Sequence, residues 1–177
     1  MRGRLPLAAA MMLLLPACEE RVRPAVVPEE RTELPSQESW HSTVVFSDSG
    51  RMRARLRAGY IAVYMPQGYT LLSDSVTVDF YDEEERHTSV LTSRRGRVND
   101  RTRDFVAYGN VRVTSDSGTV LTTDSLFWQN QEQLIVTQAF VDIVSPTEHI
   151  TGHGLVSDQA LKNYRIARVT GQTVAKE

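Results

Sequence analysis

The chain reads as an all-β protein, a sandwich or barrel of many short strands. Three observations carry that reading. Apolar and polar residues alternate with a period of two in window after window, and no window sustains the apolar period of a helix. Turn-forming residues fall between those windows. Comparable segments recur about every thirty residues, which marks stacked units too small to bury their apolar faces alone.

With 177 residues the chain has room for one domain with a core of ordinary proportions. It is 41% hydrophobic and 24% charged, with a net charge of −2. That balance lacks the basic footprint of a nucleic-acid binder, so no nucleic-acid partner is expected.

Arg2 and Arg4 precede Leu5 to Leu15, an apolar run of about eleven residues. A permanent span needs about twenty, so residues 1–17 read as a secretory signal peptide. The run ends in Leu15-Pro16-Ala17-Cys18, and Cys18 is the sole cysteine. A small residue followed by a lone cysteine at this place resembles a bacterial lipobox, although Pro16 departs from the small or β-branched residue usual there. The resemblance implies cleavage after Ala17 and lipid attachment at Cys18. The alternative is ordinary signal-peptidase cleavage with a bystander thiol, a liability in an oxidising compartment. Cleavage removes two arginines and no acid, so the net charge of −2 becomes −4. No disulfide framework is available, and burial and hydrogen bonds must hold the fold.

Residues 18–40 follow as an expected flexible, lipid-anchored tether, with Pro24, Pro28 and Pro35 among Glu and Arg. At roughly 3 Å per residue, about twenty residues reach some 60 Å. The folded domain is expected over residues 41–174.

Strand patterns then succeed one another. In "RMRARLRA", Arg51, Arg53, Arg55 and Arg57 alternate with Met52, Ala54, Leu56 and Ala58. Val76 to Phe80, Val111 to Val113 and Val141 to Ile143 alternate likewise, giving each strand one wet and one buried face. Turn signals stand at residues 49–50, 66–68, 99–100, 117–118, 129–130 and 145–146. Leu56, Leu91, Leu121 and Ile150 open four comparable segments. In the first three, a β-branched pair follows about twenty residues later, at Val76/Val78, Val111/Val113 and Val141/Ile143. The fourth ends at Val169-Thr170-Gly171.

Chemistry finds little purchase. His149 and His153 have a helical metal-site spacing but lie in a strand pattern, where four residues span about 13 Å, so surface histidines are expected. Asp82 to Glu85 lacks the ligand alternation and glycine of a calcium loop and reads as a solvated hairpin tip. No nucleophile elbow, phosphate loop or zinc-protease motif is present. Neither an enzyme nor a cofactor or metal site is expected. The arginine row at 51–57 either offers four charges to phosphates or protects an exposed edge strand from unwanted pairing; the latter reading is preferred.

The ordered segments "FSDSGRMRARLRAGYIAVY", "VDFYDEEERHTSVLTSRRGRVND", "AYGNVRVTSDSGTVLTTDSLFWQN" and "ITGHGLVSDQALKNYRIARVTG" together resemble the LptC family of lipopolysaccharide export, over about Val44 to Gly171. The resemblance implies an open β-jelly roll, two splayed antiparallel sheets built here from about four two-strand repeats, with an apolar groove. It implies a protein that takes lipopolysaccharide from the subunits of an inner-membrane ABC transporter and passes it to an LptA-like periplasmic bridge protein. Many members hold the inner membrane by a transmembrane helix. This chain offers the lipobox instead, so a periplasmic protein is expected, joined through N-terminal lipid to a membrane, taken as the inner one.

Expected groove residues are the apolar strand positions Leu56, Val76, Val78, Phe80, Val111, Val113, Leu126, Trp128, Val136, Val141, Ile143, Leu155 and Ile166. An acyl tail of about twelve to fourteen carbons left in water costs on the order of 10 kcal/mol, which an apolar face left partly unfilled would relieve. Sheet edges are expected to receive partners by strand addition. The C-terminal edge, with Tyr164 and Arg168, would face the bridge protein; the N-terminal edge, with Arg53 and Arg55, the transporter. The rival reading is a structural or bridge-type lipoprotein of the same fold that scaffolds an envelope complex and carries no lipid.

Overall fold

The structure, a computed structural model, describes residues 33–174; Cys18, the expected signal peptide and most of the expected tether lie outside the described residues. Eleven strands follow in order: β1 (Gln37–Asp48), β2 (Arg51–Tyr64), β3 (Tyr69–Ser73), β4 (Val76–Tyr81), β5 (His87–Ser93), β6 (Arg95–Asn99), β7 (Phe105–Ser115), β8 (Val120–Gln129), β9 (Leu134–Val144), β10 (Glu148–Asp158) and β11 (Tyr164–Val174). Every pairing is antiparallel. The fold is all-β, as the alternation implied, and is consistent with the jelly roll that the resemblance implied. β1 begins four residues before the expected boundary at 41. Its pairing is a backbone matter, Gln37 opposite Val63 and Ser36 N donating to Val63 O at 2.7 Å, and a polar edge strand leaves little apolar signal.

The strands form one hydrogen-bonded sheet rather than two separate ones. β2 pairs with β4 through Ala54 to Arg57 and with β3 through Tyr60 to Tyr64. β7 pairs with β5 through Arg112 to Ser115 and with β6 through Phe105 to Tyr108. Thus β4 with β3, and β5 with β6, lie end to end as single interrupted rows.

An irregularity interrupts each row near its middle. His41 in β1 has φ +50, Asp74 and Ser75 between β3 and β4 have φ +58 and +69, and Gly109 and Asn110 in β7 have φ +79 and +54. Register shifts fall between Thr123 and Phe127 in β8 against β9, and between His153 and Leu155 in β10. Arg94, between β5 and β6, donates its N–H to Gly109 O at 2.9 Å. In β2 the crossing point is Gly59, where a β-carbon would lie 2.4 Å from Asp74 O. Bulges bend strands, and a row of them across a sheet makes a crease.

The repeats seen in the sequence become one ladder on the first side of the crease. Leu56 faces Val78, Val78 faces Leu91, Leu91 faces Val113, Val113 faces Leu121, Leu121 faces Ile143, and Ile143 faces Ile150. All seven are buried. The fourth unit closes at Gln172, opposite Ile150, at the same offset as the other three. On the second side, Ile61 faces Leu72, Leu72 faces Gly96, Gly96 faces Ala107, and Ala107 faces Leu126; Leu155 faces Ile166 farther along.

The crease folds these two faces together. Phe80, on the first side in β4, and Trp128, on the second side in β8, have ring centroids 5.3 Å apart. Their strands stand three rows apart, about 14 Å within a flat sheet. Only folding brings the rings into contact. Both belong to one cluster of buried apolar residues drawn from both sides.

Candidate functional site

The chemistry of this chain lies in the interior between the two faces and the rim where they meet opposite the crease. Eleven expected groove residues line that interior: Leu56, Val76, Val78, Phe80, Val111, Val113, Leu126, Trp128, Val141, Ile143 and Leu155, each 2% exposed or less. Ile166 packs partly buried against the cluster. Val136 belongs to the other face, because its neighbours Ile135 and Thr137 are the buried ones. The buried positions of β9 are Ile135, Thr137, Val141 and Ile143, with no change of parity, so Val136, five residues from Val141, faces outward. Ile135 takes the inward place.

The interior is occupied by these side chains, not left partly unfilled as expected. Two apolar faces that meet leave water together, so they close on each other. A guest reaches them only when the faces part.

Few polar ties span the rim. Arg53 Nη2 donates to Gln133 Oε1 at 3.2 Å, Arg103 Nη1 to Ser47 O at 3.2 Å, and Ser89 Oγ to Gln159 O at 2.5 Å. A cleft of about 720 Å³ opens along this rim, lined by Phe46, Arg53, Glu83, Arg103, Asp104 and Gln133 among others. A polar rim over an apolar interior matches an amphipath, tails inward and polar group outward.

The turn between β10 and β11 closes one part of the rim. Asp158 organises it: Oδ1 accepts from Lys162 N at 2.9 Å, and Oδ2 accepts from Asn163 N and Nδ2 at 3.0 and 2.8 Å. Leu161 points inward, 2% exposed, at φ +53. Gln159 is buried beside it and donates Nε2 to Gln133 Oε1 at 3.0 Å. Among the described residues Gln159 Oε1 and Trp128 Nε1 are buried without a hydrogen-bond partner. The sequence reading missed this turn, since one leucine among polar residues has no periodicity.

The sheet edges are β1 and β11, each paired to a single neighbour among the described residues. Tyr164 and Arg168 are on the β11 edge. Arg53 and Arg55 are not on an edge: they belong to β2, which β1 covers. The preferred reading of the arginine row as edge protection is therefore corrected. Arg55 Nε and Arg57 Nη2 lie 3.2 and 3.1 Å from Asp79 Oδ2, and Arg51 Nη1 donates to Glu83 O. A run of alternating charge marks a wet face, and nothing in it tells whether the strand has one neighbour or two.

Each edge is pinned by a tyrosine and a glutamate. Tyr60 hydrogen-bonds Glu38 across β1 and β2, and Tyr164 Oη donates to Glu148 Oε1 at 2.6 Å across β10 and β11. Both phenols are pushed from the ordinary 10 up to about 12: Tyr60 chiefly by the bond to Glu38, Tyr164 chiefly by burial and then by Glu148. A raised phenol pKa stabilises the fold while the unfolded tyrosine is still protonated, and that contribution disappears as pH rises from about 10 through 12. Ultraviolet difference titration should find these two tyrosines ionising last. Glu38→Gln should lower Tyr60 by weakening the largest cause of its shift, whereas Glu148→Gln should leave Tyr164 still raised by burial.

His149 Nε2 lies 2.8 Å from Asp142 Oδ1, and His153 stacks edge-on against Phe140 at 5.3 Å, both in β10 as the strand pattern required. Asp82 to Glu85 lies in the β4–β5 turn, where Asp82 Oδ1 accepts from Glu84 N and Arg86 N.

Compared with known families, residues 7–173 match the one described as LptC: lipopolysaccharide-assembly, LptC-related. No curated protein matches the chain.

Proposed function

Because the chain belongs to the LptC-related family of lipopolysaccharide-assembly proteins, we propose that it is the carrier of that system, receiving lipopolysaccharide from inner-membrane ABC transporter subunits and handing it to an LptA-like periplasmic bridge. The family serves lipopolysaccharide transport in the cell envelope. The carrier role rests on one observation: a continuous apolar ladder and a second, interrupted one face each other behind a rim tied, among the described residues, by a few polar contacts. Opening that rim offers acyl tails an apolar bed along the whole sheet. Each methylene so covered is worth about 0.8 kcal/mol, without any bond made or broken. The two edges, β1 and β11, offer unpaired backbone for strand addition by the transporter and the bridge. Cys18 carries the lipid that holds the mature chain at the inner membrane.

A photo-crosslinker at Leu56, Val113 or Ile143 is expected to capture lipopolysaccharide in cells, and one at Arg112 or Asp142 on the outer face is not. Capture at the outer positions alone overturns the inward path. Mass spectrometry of the mature chain reads the lipid at Cys18 directly; an unmodified thiol there removes the anchor. The filled interior favours a second reading, a scaffold of the same fold that carries no lipid. It predicts no crosslink from either set of positions.

A further inference from the structure

The β10–β11 turn puts an apolar side chain where its own sequence gives little reason for one. Asp158, Gln159, Lys162 and Asn163 surround Leu161, yet Leu161 is among the most enclosed side chains of the molecule. It reaches the interior at φ +53, a backbone region that a bulky residue rarely adopts and that only surrounding contacts sustain. The polar groups nearby are poorly served in this arrangement. Gln159 Oε1 lies buried in the same turn, and Trp128 Nε1 lies buried in the same interior, both without a partner. Unpaired buried groups of this kind are rare in settled interiors.

The turn is also lightly held. Beyond its internal bonds to Asp158, its ties to the rest of the rim are Ser89 Oγ to Gln159 O and Gln159 Nε2 to Gln133 Oε1. It leads into β11, whose neighbour among the described residues is β10 alone. Among the described residues, none packs on the far side of β11 against an outward movement of the turn. A branched hydrocarbon on a strained, lightly tied turn, at the polar rim of an apolar interior, has the properties of a removable stopper.

We propose that the seat filled by Leu161 is a subsite for a fatty acyl chain, with Leu161 standing in for the tail until one displaces it. This rests on the carrier reading above and adds to it a seat for the tail at the β11 end of the path. The exchange favours the guest, because each further methylene that follows the first into the interior multiplies affinity roughly fourfold. Once Leu161 has left, the turn swings out on the β10–β11 ladder and takes Gln159 with it, returning the amide oxygen to water.

The chain has two tryptophans, so Trp40→Phe leaves Trp128 as the only reporter inside the full mature protein. A brominated myristate quenches its emission on entering. In that background Leu161→Ala is expected to tighten myristate binding roughly tenfold to a hundredfold, by removing the competing side chain. Leu161→Trp is expected to weaken it at least as much. Ser89→Ala keeps Leu161 but unties the turn, and should strengthen binding about threefold to tenfold. Urea titration of each variant reads the lost packing separately from the binding. Quenching that is unchanged or weakened in both Leu161→Ala and Ser89→Ala overturns the subsite while leaving the carrier reading in place. Absence of quenching in every variant, together with absence of lipopolysaccharide crosslinks, removes the carrier reading and the subsite with it.

Discussion

Trp128→Ala is expected to destabilise the domain by about 3–5 kcal/mol. The indole is 2% exposed, and it supplies the second-side half of the aromatic contact with Phe80 that joins the two faces. Removing it leaves a void that the crease geometry cannot collapse without moving whole rows. For a domain of this size the melting temperature should fall by on the order of 10 °C. Trp128→Phe separates the two parts of that cost. It keeps a ring against Phe80 and deletes an N–H that is buried without a partner, an atom whose burial alone costs about 1–3 kcal/mol. The phenylalanine variant should therefore stay within about 1 kcal/mol of the parent in urea titration. A loss as large as that of alanine would mean that the indole N–H has a partner in solution.

Gly96→Val carries the second large effect, and for the opposite reason. Gly96 is the one residue without a side chain in the second ladder, between Leu72 and Ala107. The space a side chain would take is filled by Phe105: a β-carbon at Gly96 would lie 2.3 Å from Phe105 Cε2, 2.8 Å from Cζ and 3.3 Å from Leu72 Cδ1. The Phe105 ring is buried and has little room to swing aside. Overpacking of this kind costs about 3 kcal/mol. Because the two residues compete for one volume, Gly96→Val combined with Phe105→Ala should be less damaging than the sum of the two changes by about 1–3 kcal/mol. Strict additivity would show that the clash at Gly96 is with something else.

The first ladder could be read from sequence because each of its rungs is a large apolar residue. Leu56, Leu91, Leu121 and Ile150 keep the same chemistry, and Val78, Val113 and Ile143 keep the same distance behind the first three. The second ladder could not. Its rungs run from Ile61 and Leu72 through Gly96 and Ala107 to Leu126, and volume is shared out in three dimensions, Phe105 filling for Gly96. No one-dimensional pattern records that exchange. The crease was hidden for a different reason. What His41, Asp74, Arg94 and Asn110 have in common is a place in the row rather than a kind of side chain, and the requirement they meet is one of backbone shape. Val136 was misplaced for another reason: it lies an odd number of residues from Val141, and β9 keeps one alternation between them.

The candidate site was legible to the same extent. The inward residues of the first face announce themselves by alternation, and of the second face Leu126, Trp128, Leu155 and Ile166 do. The rim does not, because Arg53, Ser89, Gln133 and Gln159 are brought together from four separate stretches by folding alone. The edge was misjudged because β1 pairs through its backbone with few apolar side chains to advertise it.

A panel scored along one line is stiff in every direction but one. The interruptions at His41, Gly59, Asp74, Arg94 and Gly109 lie along such a line, while on both sides of it the cross-strand bonds run on from row to row. Tension applied along the rows of bonds is shared by many of them in parallel, and a neighbour pulling on β1 or β11 transmits its load through the panel with little give. Pressure between the flaps meets only the score and bends it. The molecule is thereby rigid as a link and compliant as a clip, and the two behaviours come from the same bonds.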